Sequence, residues 1–275
     1  MSPNASAGPA DTQAAVVPRD LPEELRQLML LSKFAIDEVM TKVSILRDEL
    51  FFSRGHNPIE HVSSRLKSPA SIAEKAQRKG VPLTRDGLRD HVRDIAGVRV
   101  TCGFVSDIHR VRDMILRQRD LTVIEERDYI AAPKANGYKS LHLIVQVPVF
   151  LSDRVEDVVV EIQLRTIAMD FWASLEHKIY YKFDGEVPRH LTDSLKLAAD
   201  VAWSLDTSME RIHDELHGPL DGVPAASPGE VAAAAQASAQ VSASVLAQIE
   251  ALVPDDGPRG RYSGVWNSLS SGPSS

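Results

Sequence analysis

The alternation between apolar and polar residues changes its period once within residues 158–182. In the first part Val158, Val160, Ile162 and Leu164 alternate with Val159, Glu161, Gln163 and Arg165. A period of two is typical of a strand with one buried face, so Glu161, Gln163 and Arg165 are predicted to share the opposite face. From Thr166 the apolar residues recur at helical spacing, which predicts a helix with Thr166 as its N-cap. A strand is therefore expected to run directly into a helix.

The same two periods predict the other elements of the chain. Further strands are expected at residues 98–104, 121–127 and 141–147, with an extended segment at 65–67. Helices are expected at about residues 20–50, 68–79, within 81–93, at 106–118 and from Pro188 to about residue 217. We therefore predict an α+β fold, with a mixed sheet of about five strands flanked by helices.

Polar groups collect on one predicted face of this sheet. Arg99, His142, Glu161 and Gln163 all point away from the aliphatic side of their strands, and Asp94 lies just ahead of the second strand. Each of them taken alone is adequately explained as a polar strand position that meets water. Their joint occurrence beside a helix N-terminus favours a site for a metal ion and a phosphorylated ligand.

A basic segment precedes the second strand. Residues 65–99 contain nine Lys or Arg residues and four Asp or Glu residues. Ser71, Lys75 and Arg78 follow at spacings of four and three, so they share one face of the helix that begins after Ser68. Convergent cations and a hydroxyl near a helix start suit a triphosphate, and a solvated basic face is the alternative.

Composition limits the kind of ligand and the compartment. The formal charge of −7 argues against coating of a long nucleic acid, whereas a local basic pocket suits a small polyanion. The single cysteine, Cys102, can form neither an internal disulfide nor a cysteine metal cluster. The sequence has neither an apolar run long enough for a membrane span nor a signal-peptide pattern, so we expect a cytoplasmic protein without a membrane or DNA partner.

The domain prediction has three parts. Residues 1–19 are rich in Ala, Pro, Ser and Asn and are expected to be a disordered leader. Residues 20–217 are expected to form one domain with its flanking helices. Residues 218–275 are rich in Ala and Ser, and we expect a mostly mobile tail with at most a weak helix from Glu230 to Val253.

Four segments together closely resemble the synthetase domain of the RelA/SpoT homologues, namely SRLKSPASIAEK, RDIAGVRVTC, DYIAAPKANGYKSLH and VEIQLRTIAMDFWASLEHKIYYK. They stand in family order over about residues 22–215, and the chain looks like a stand-alone small alarmone synthetase. This resemblance implies a nucleotidyltransferase-like fold. It also implies pyrophosphate transfer from ATP to the 3′-hydroxyl of GDP or GTP, which gives ppGpp or pppGpp and AMP.

The resemblance also implies roles for individual residues. Asp94 and Glu161 match the acidic pair that holds Mg²⁺, and Glu161 matches a base for the 3′-hydroxyl. The residues expected to bind ATP are Arg65 and Arg99, which match the arginines on either side of adenine, and Lys67, Ser71, Lys75 and Arg78, which match its phosphate contacts. The residues expected to bind the guanine nucleotide are Tyr138, which matches a stacking platform, and Lys134, His142, Gln163, Arg127 and Asp170.

Two other functions stay open at this point. Toxin-like relatives transfer pyrophosphate to the 3′ end of tRNA, so an RNA partner is a second hypothesis, and a non-catalytic guanine-nucleotide binder is a third. The chain before Arg65 is expected to be one helix and a leader, which leaves no HD-type hydrolase region there, and His91 is followed by Val92, so it makes no HD pair. We therefore expect synthesis without hydrolysis. Resemblance to the compact members further implies a homotetramer.

Overall fold

The computed structural model describes residues 22–54, 57–183 and 187–217. The predicted leader at 1–19 and the predicted tail at 218–275 lie outside the described residues. The described elements, in chain order, are α1 (Glu23–Arg54), β1 (Ile59–Leu66), α2 (Pro69–Lys79), α3 (Arg85–His91), β2 (Ala96–Cys102), α4 (Val105–Leu116), β3 (Thr122–Asp128), β4 (Leu141–Phe150), β5 (Val155–Thr166), α5 (Ile167–Lys182) and α6 (Arg189–His217). No helix among these is long and apolar enough to cross a membrane.

The five strands form one mixed sheet in the order β1-β2-β5-β4-β3. Strands β2 and β5 are parallel, and the other three pairs are antiparallel. The predicted α+β fold with a mixed five-stranded sheet is confirmed. The extended segment predicted at residues 65–67 is the end of β1, an edge strand paired with β2.

The aliphatic face of the sheet packs against α1 and α4. Its strand residues that are at most 1% exposed include Val98, Val100, Leu143, Ile162 and Leu164. Burying a side chain of this kind contributes about 1.5–3 kcal/mol relative to leaving it exposed. Because a one-residue slip would turn the whole set of a strand to the other face, this burial fixes the register of the central strands.

Local capping explains where two helices near the polar face begin. Ser68 accepts a hydrogen bond from Ser71 N at the start of α2 (3.3 Å), and Thr166 accepts one from Met169 N at the start of α5 (3.1 Å). Both predicted helix starts are confirmed. One predicted boundary was wrong, because β2 ends at Cys102 and Phe104 is the half-buried residue before α4 instead of part of a buried strand face.

The C-terminal helix α6 is joined to the start of α5 through a buried carboxyl group. Thr166 Oγ1 donates to Oδ2 of Asp206, which is only 7% exposed (2.7 Å). Burial, together with repulsion from the nearby carboxylate of Glu210, raises the pKa of Asp206 to about 6. An Asp whose pKa is raised in the folded state stabilises the fold when protonated, and that contribution is lost as the pH rises through about 6.

We predict that Asp206→Asn is more stable than the parent at pH 8 by about 1–3 kcal/mol, because Asn still accepts from Thr166 without a buried charge. The gain should vanish below about pH 4, where the Asp is protonated in both the folded and the unfolded chain. Urea unfolding at a series of pH values measures this, with the exposed Asp200→Asn on the same helix as control. A stability difference that does not change with pH would contradict the prediction.

Candidate active site

A row of polar side chains crosses four strands of the sheet. Arg99 on β2 lies opposite Gln163 on β5, Gln163 lies opposite His142 on β4, and His142 lies opposite Arg127 on β3. Residues directly opposite one another in a sheet point to the same face. The prediction that these groups share one face is therefore confirmed by the register.

A second row contains Glu161. Glu161 lies opposite Gly97 on β2, and Gly97 in turn lies opposite Arg65 on the edge strand β1. Because Gly97 has no side chain, no side chain of β2 stands between the carboxylate and the guanidinium in this row. The two rows together define a polar face with Arg65 and Arg99 at one side and His142 at the other.

Two hydrogen bonds hold the Glu161 carboxylate, which is 15% exposed. His142 Nδ1 lies 3.1 Å from Oε1, and the amide nitrogen of Gln163 donates to Oε2 at 2.9 Å. Burial raises the pKa of Glu161, but the contacts with His142 and Gln163 outweigh it and leave the pKa below its ordinary value, despite the repulsion from Asp94. Glu161 is therefore an ionised acceptor at neutral pH.

The second carboxylate, Asp94, is neutralised by two lysines. Lys67 Nζ and Lys75 Nζ both contact Oδ2, at 2.9 and 2.6 Å. Burial raises the pKa of Asp94, but the two ammonium groups together lower it below its ordinary value. The other oxygen, Oδ1, is buried and has no hydrogen-bond partner among the described residues. A buried carboxylate oxygen without a donor suits a cation.

Asp94 and Glu161 fit a magnesium site that is completed by its ligand. The described residues contain no group of three or more His, Cys, Asp or Glu side chains arranged to hold a metal ion. Mg²⁺ is commonly bound through one or two carboxylates together with substrate phosphates and water, so a pair of carboxylates suffices. The orphaned Oδ1 of Asp94 and the influence of Asp94 on the pKa of Glu161 both fit that arrangement.

Asp170, one turn into α5, joins two arginines. Its Oδ1 lies 3.1 Å from Arg99 Nη1 and 3.0 Å from Arg165 Nη1. Burial lowers the pKa of Arg99, and repulsion from Arg165 and Arg65 lowers it further against the attraction of Asp170. Arg99 therefore carries its charge in a crowded cationic region, where an anionic or aromatic ligand would be stabilised.

The loop before β4 is shaped by one glycine. Gly137 has a left-handed φ of 88°, and a Cβ atom there would lie 2.6 Å from the Ala199 Cβ on α6. Only glycine fits this conformation and this close approach. The turn is closed by hydrogen bonds between Lys134 and residues 137 and 138, so Gly137 sets the place of both Lys134 and Tyr138.

The ring of Tyr138 is 9% exposed and packs within a small cluster. Trp172 lies beside it, and Lys134 Nζ lies 4.6 Å from the ring centroid. The hydroxyl lies 2.7 Å from both His142 Nε2 and Arg165 Nη2. In this conformation little of Tyr138 is open to a base, so its stacking on guanine stays a prediction.

The remaining predicted residues are less closely joined to the carboxylates. Ser71 shares a hydrogen bond with Ser68 at the start of α2 (2.9 Å), and Arg78 is exposed in the last turn of the same helix. Arg127 binds Glu125 of its own strand through both carboxylate oxygens, at 2.6 and 2.7 Å. The structure thus brings Lys67 and Lys75 to Asp94, while Arg127 is directed toward Glu125.

Arg165 is the residue that the predicted site omitted. It is 4% exposed and contacts four side chains of the polar face. The sequence pattern placed Arg165 on the same strand face as Glu161, but periodicity does not distinguish a buried cation from one that meets water. The available signal was its position immediately before the N-cap Thr166, where the start of α5 covers it.

Comparison with known proteins gives matches over most of the described residues. Residues 64–186 match the family described as a region found in RelA / SpoT proteins. The chain is 52% identical to the GTP pyrophosphokinase YwaC of Bacillus subtilis over 193 residues, which cover 70% of this chain and 92% of that protein.

Solved structures give the same family. The small alarmone synthetase 2 from Bacillus subtilis matches with a TM-score of 0.65 and 51% identity, covering 70% of this chain and all of that one. The small alarmone synthetase 1 from Bacillus subtilis bound to its product pppGpp matches with a TM-score of 0.67 and 38% identity, covering 71% of this chain and 100% of that one. The structure of that synthetase bound to AMPCPP also matches the present chain, with a TM-score of 0.61.

We predict that Asp170→Asn lowers the free energy of unfolding by about 1–3 kcal/mol, because buried Arg165 and half-buried Arg99 lose their shared counter-charge. Chemical denaturation of the parent and the variant measures this. Asp153→Asn, which weakens an exposed ion pair with Arg154, is the matched control and should change stability by less than about 0.5 kcal/mol. Equal effects of the two substitutions would contradict a structural role for Asp170.

Proposed function

The chain belongs to the RelA/SpoT family of GTP pyrophosphokinases, and we propose which residues of its polar face form the site that makes (p)ppGpp. In the proposed reaction the 3′-hydroxyl of GDP or GTP attacks the β-phosphorus of ATP, and AMP leaves. The observation that carries this proposal is the ionised Glu161, held by His142 and Gln163 on the same polar face as a second carboxylate with a free oxygen, Asp94.

This reaction depends on positioning and on neutralising charge more than on covalent catalysis. The cations near Asp94 suit the donor phosphates. In the free protein Lys67 and Lys75 neutralise Asp94, so we propose that they exchange this carboxylate for the phosphates of ATP when the nucleotide binds. Ser71 and Arg78, on the same face of α2, extend the phosphate contacts.

Asp94 and Glu161 are the proposed ligands of Mg²⁺. When bound, the ion would neutralise phosphate charge and orient the transferred group. Asp94 offers Oδ1, which has no protein donor, whereas Glu161 is already oriented by its two neighbours. Glu161 also accepts the proton of the 3′-hydroxyl, since it is ionised at neutral pH and lies on the face where the acceptor binds.

The two bases are assigned to different parts of the polar face. Arg65 and Arg99 are proposed to lie on either side of adenine, which suits planar guanidinium groups, and a neighbour of the fold bound to AMPCPP supports an adenine nucleotide. Guanine is assigned to the side of Tyr138 and Asp170, because a carboxylate accepts from guanine N1 and N2, which adenine does not offer. Lys134, His142, Gln163 and Arg127 are assigned to its ribose and phosphates.

An apolar stripe on α6 supports self-association. Its exposed members recur at spacings of three and four residues, and they are Val201, Leu205, Met209, Ile212 and Leu216. Such a stripe on a surface helix is typical of an interface. We therefore keep the homotetramer as a proposal, together with synthesis without hydrolysis and a cytoplasmic location.

Transfer to tRNA is the second candidate, and a non-catalytic binder is the third. The formal charge of −7 disfavours the tRNA, and an intact pair of carboxylates disfavours the binder. One experiment separates the three: the protein is incubated with labelled ATP, Mg²⁺ and GDP, GTP or bulk tRNA, and the labelled product is identified. Label in a guanine nucleotide supports the proposal, whereas label in tRNA or no transfer contradicts it.

We predict that Glu161→Gln lowers turnover by at least about 100-fold, because the amide can neither supply the charge for Mg²⁺ nor accept the proton. The amide keeps the shape of the side chain, so the melting temperature should change little. Initial rates and melting temperature are measured on the same preparation. Glu156→Gln, on the same strand but paired with Arg85 and Arg154, is the control and should stay active. Activity of Glu161→Gln within a few-fold of the parent would remove Glu161 from the site.

We further predict that Arg99→Ala weakens ATP binding by about 1–2 kcal/mol, the range for a desolvated cation over a ring. Calorimetric titration with ATP without metal measures this. Arg154→Ala removes an exposed arginine at the β4–β5 hairpin and should leave the affinity unchanged. Unchanged affinity in Arg99→Ala would exclude Arg99 from the adenine site.

Tyr138→Ala should raise the apparent KM for the guanine nucleotide and leave ATP binding nearly unchanged, because loss of a stacking platform costs about 1–3 kcal/mol per base. Steady-state kinetics with each substrate varied in turn measures this. Since Tyr138 is buried, a control with Tyr180→Ala, in the same apolar cluster, separates stacking from loss of packing. An equal loss of ATP binding would make Tyr138 a structural residue.

A further inference from the structure

Arg165 lies at the end of β5 and donates hydrogen bonds to four side chains of the polar face. Nη1 donates to Asp170 Oδ1 (3.0 Å), Nη2 donates to the Tyr138 hydroxyl (2.7 Å) and to Gln163 Oε1 (2.9 Å), and Nε donates to Ser140 Oγ (3.4 Å). One carboxylate would suffice to neutralise its charge. The three neutral acceptors indicate that Arg165 also orients its neighbours.

The first neighbour is Gln163. A guanidinium has no acceptor, so the Gln163 atom 2.9 Å from Arg165 is the amide oxygen. The amide nitrogen then faces Glu161 and donates to Oε2 at 2.9 Å. A reversed amide would place its oxygen against the carboxylate and its N–H groups against the guanidinium. Arg165 therefore fixes the same amide orientation that the ionised Glu161 requires, in which Gln163 presents a donor to the carboxylate.

The second neighbour is Tyr138, which reaches Glu161 through His142. Because Arg165 donates to the Tyr138 oxygen, the Tyr138 hydroxyl is free to donate its own hydrogen to His142 Nε2 (2.7 Å). His142 then carries its proton on Nδ1 and donates it to Glu161 Oε1 (3.1 Å). If Nε2 carried a proton as well, the Tyr138 hydroxyl hydrogen would lose this acceptor. One arrangement thus satisfies all four groups.

Both paths begin at Arg165 and end on Glu161, one on each oxygen. We propose that Arg165 is a positioning residue for Glu161, fixing the direction of two hydrogen-bond paths so that His142 and Gln163 both present N–H donors to the carboxylate. This inference rests on the proposed function of Glu161. In this role Arg165 acts by fixing which groups donate hydrogen bonds to Glu161, and not only by its charge or by contact with a nucleotide.

Three variants separate donor direction from charge and from packing. Tyr138→Phe keeps the ring and removes only the hydroxyl, which links Arg165 to His142. Arg165→Met removes all donors with a side chain of similar length, and Arg165→Lys keeps the charge but loses the planar fork that reaches several acceptors at once. Arg112→Met, at an ion pair with Asp113 on the other side of the sheet, is the matched control for loss of an arginine.

The first readout is independent of activity. Nitrogen-15 NMR of histidine-labelled protein reports which ring nitrogen of His142 carries the proton, at a fixed neutral pH. The parent and Arg112→Met should show His142 protonated on Nδ1 alone. Tyr138→Phe and Arg165→Met should show proton on Nε2 in a substantial fraction. Unchanged His142 spectra in Tyr138→Phe would overturn the proposal, and this holds even if Arg165→Met fails to fold.

The second readout is kinetic. We expect Tyr138→Phe and Arg165→Met to lower kcat by about 10-fold to 100-fold, the range seen when residues that orient a ligating side chain are removed. The KM values for ATP and for the guanine nucleotide should change less than kcat in Tyr138→Phe. Arg165→Lys should retain stability but not kcat. Full kcat in Arg165→Lys would mean that charge alone matters, and it would overturn the proposal.

The two readouts also separate this inference from the proposed function. If the parent transfers no pyrophosphate, the proposed function fails while the His142 spectra still test the direction of the paths. If the parent is active and the spectra change without any loss of kcat, the direction of the paths does not matter for Glu161 and the inference fails alone.

Discussion

The position of β5 in the middle of the sheet is the constraint on which the site depends. Its Ile162 and Leu164 are fully buried beneath α1, and they fix the strand against a parallel neighbour on one side and an antiparallel neighbour on the other. Because side chains alternate, the same register turns Glu161, Gln163 and Arg165 to the opposite face. The orientation of the polar face is thus set by the packing of the aliphatic face.

The polar face is largely neutralised by its own residues. Lys67 and Lys75 contact Asp94, and Arg99 and Arg165 share Asp170. Half-buried charges are costly when unpaired, so these contacts stabilise the polar face. In the proposed function a nucleotide would exchange these protein partners for phosphate, base or metal, so that a charge changes its partner instead of losing one.

The carboxylates differ in how they are held, and this difference fits different tasks. Asp94 is paired with two ammonium groups through one oxygen only, and its other, buried oxygen has no hydrogen-bond partner among the described residues. Glu161 is held on both oxygens by side chains that are themselves fixed by their neighbours. The unpaired oxygen of Asp94 suits a cation, and the fixed direction of the Glu161 carboxylate suits the proposed metal ligand that also takes a proton.

The sequence alone determined which residues share a face and where α2 and α5 begin, because both depend on local periodicity and on capping by Ser68 and Thr166. It did not determine the partners of Asp94, since Lys75 and Lys67 lie 19 and 27 residues before it and meet it only when β1 pairs with β2. It likewise did not determine that Arg165 and Tyr138 are buried. Burial depends on α5 and α6 packing over the polar face, and side-chain partners are decided by which strands and helices become neighbours.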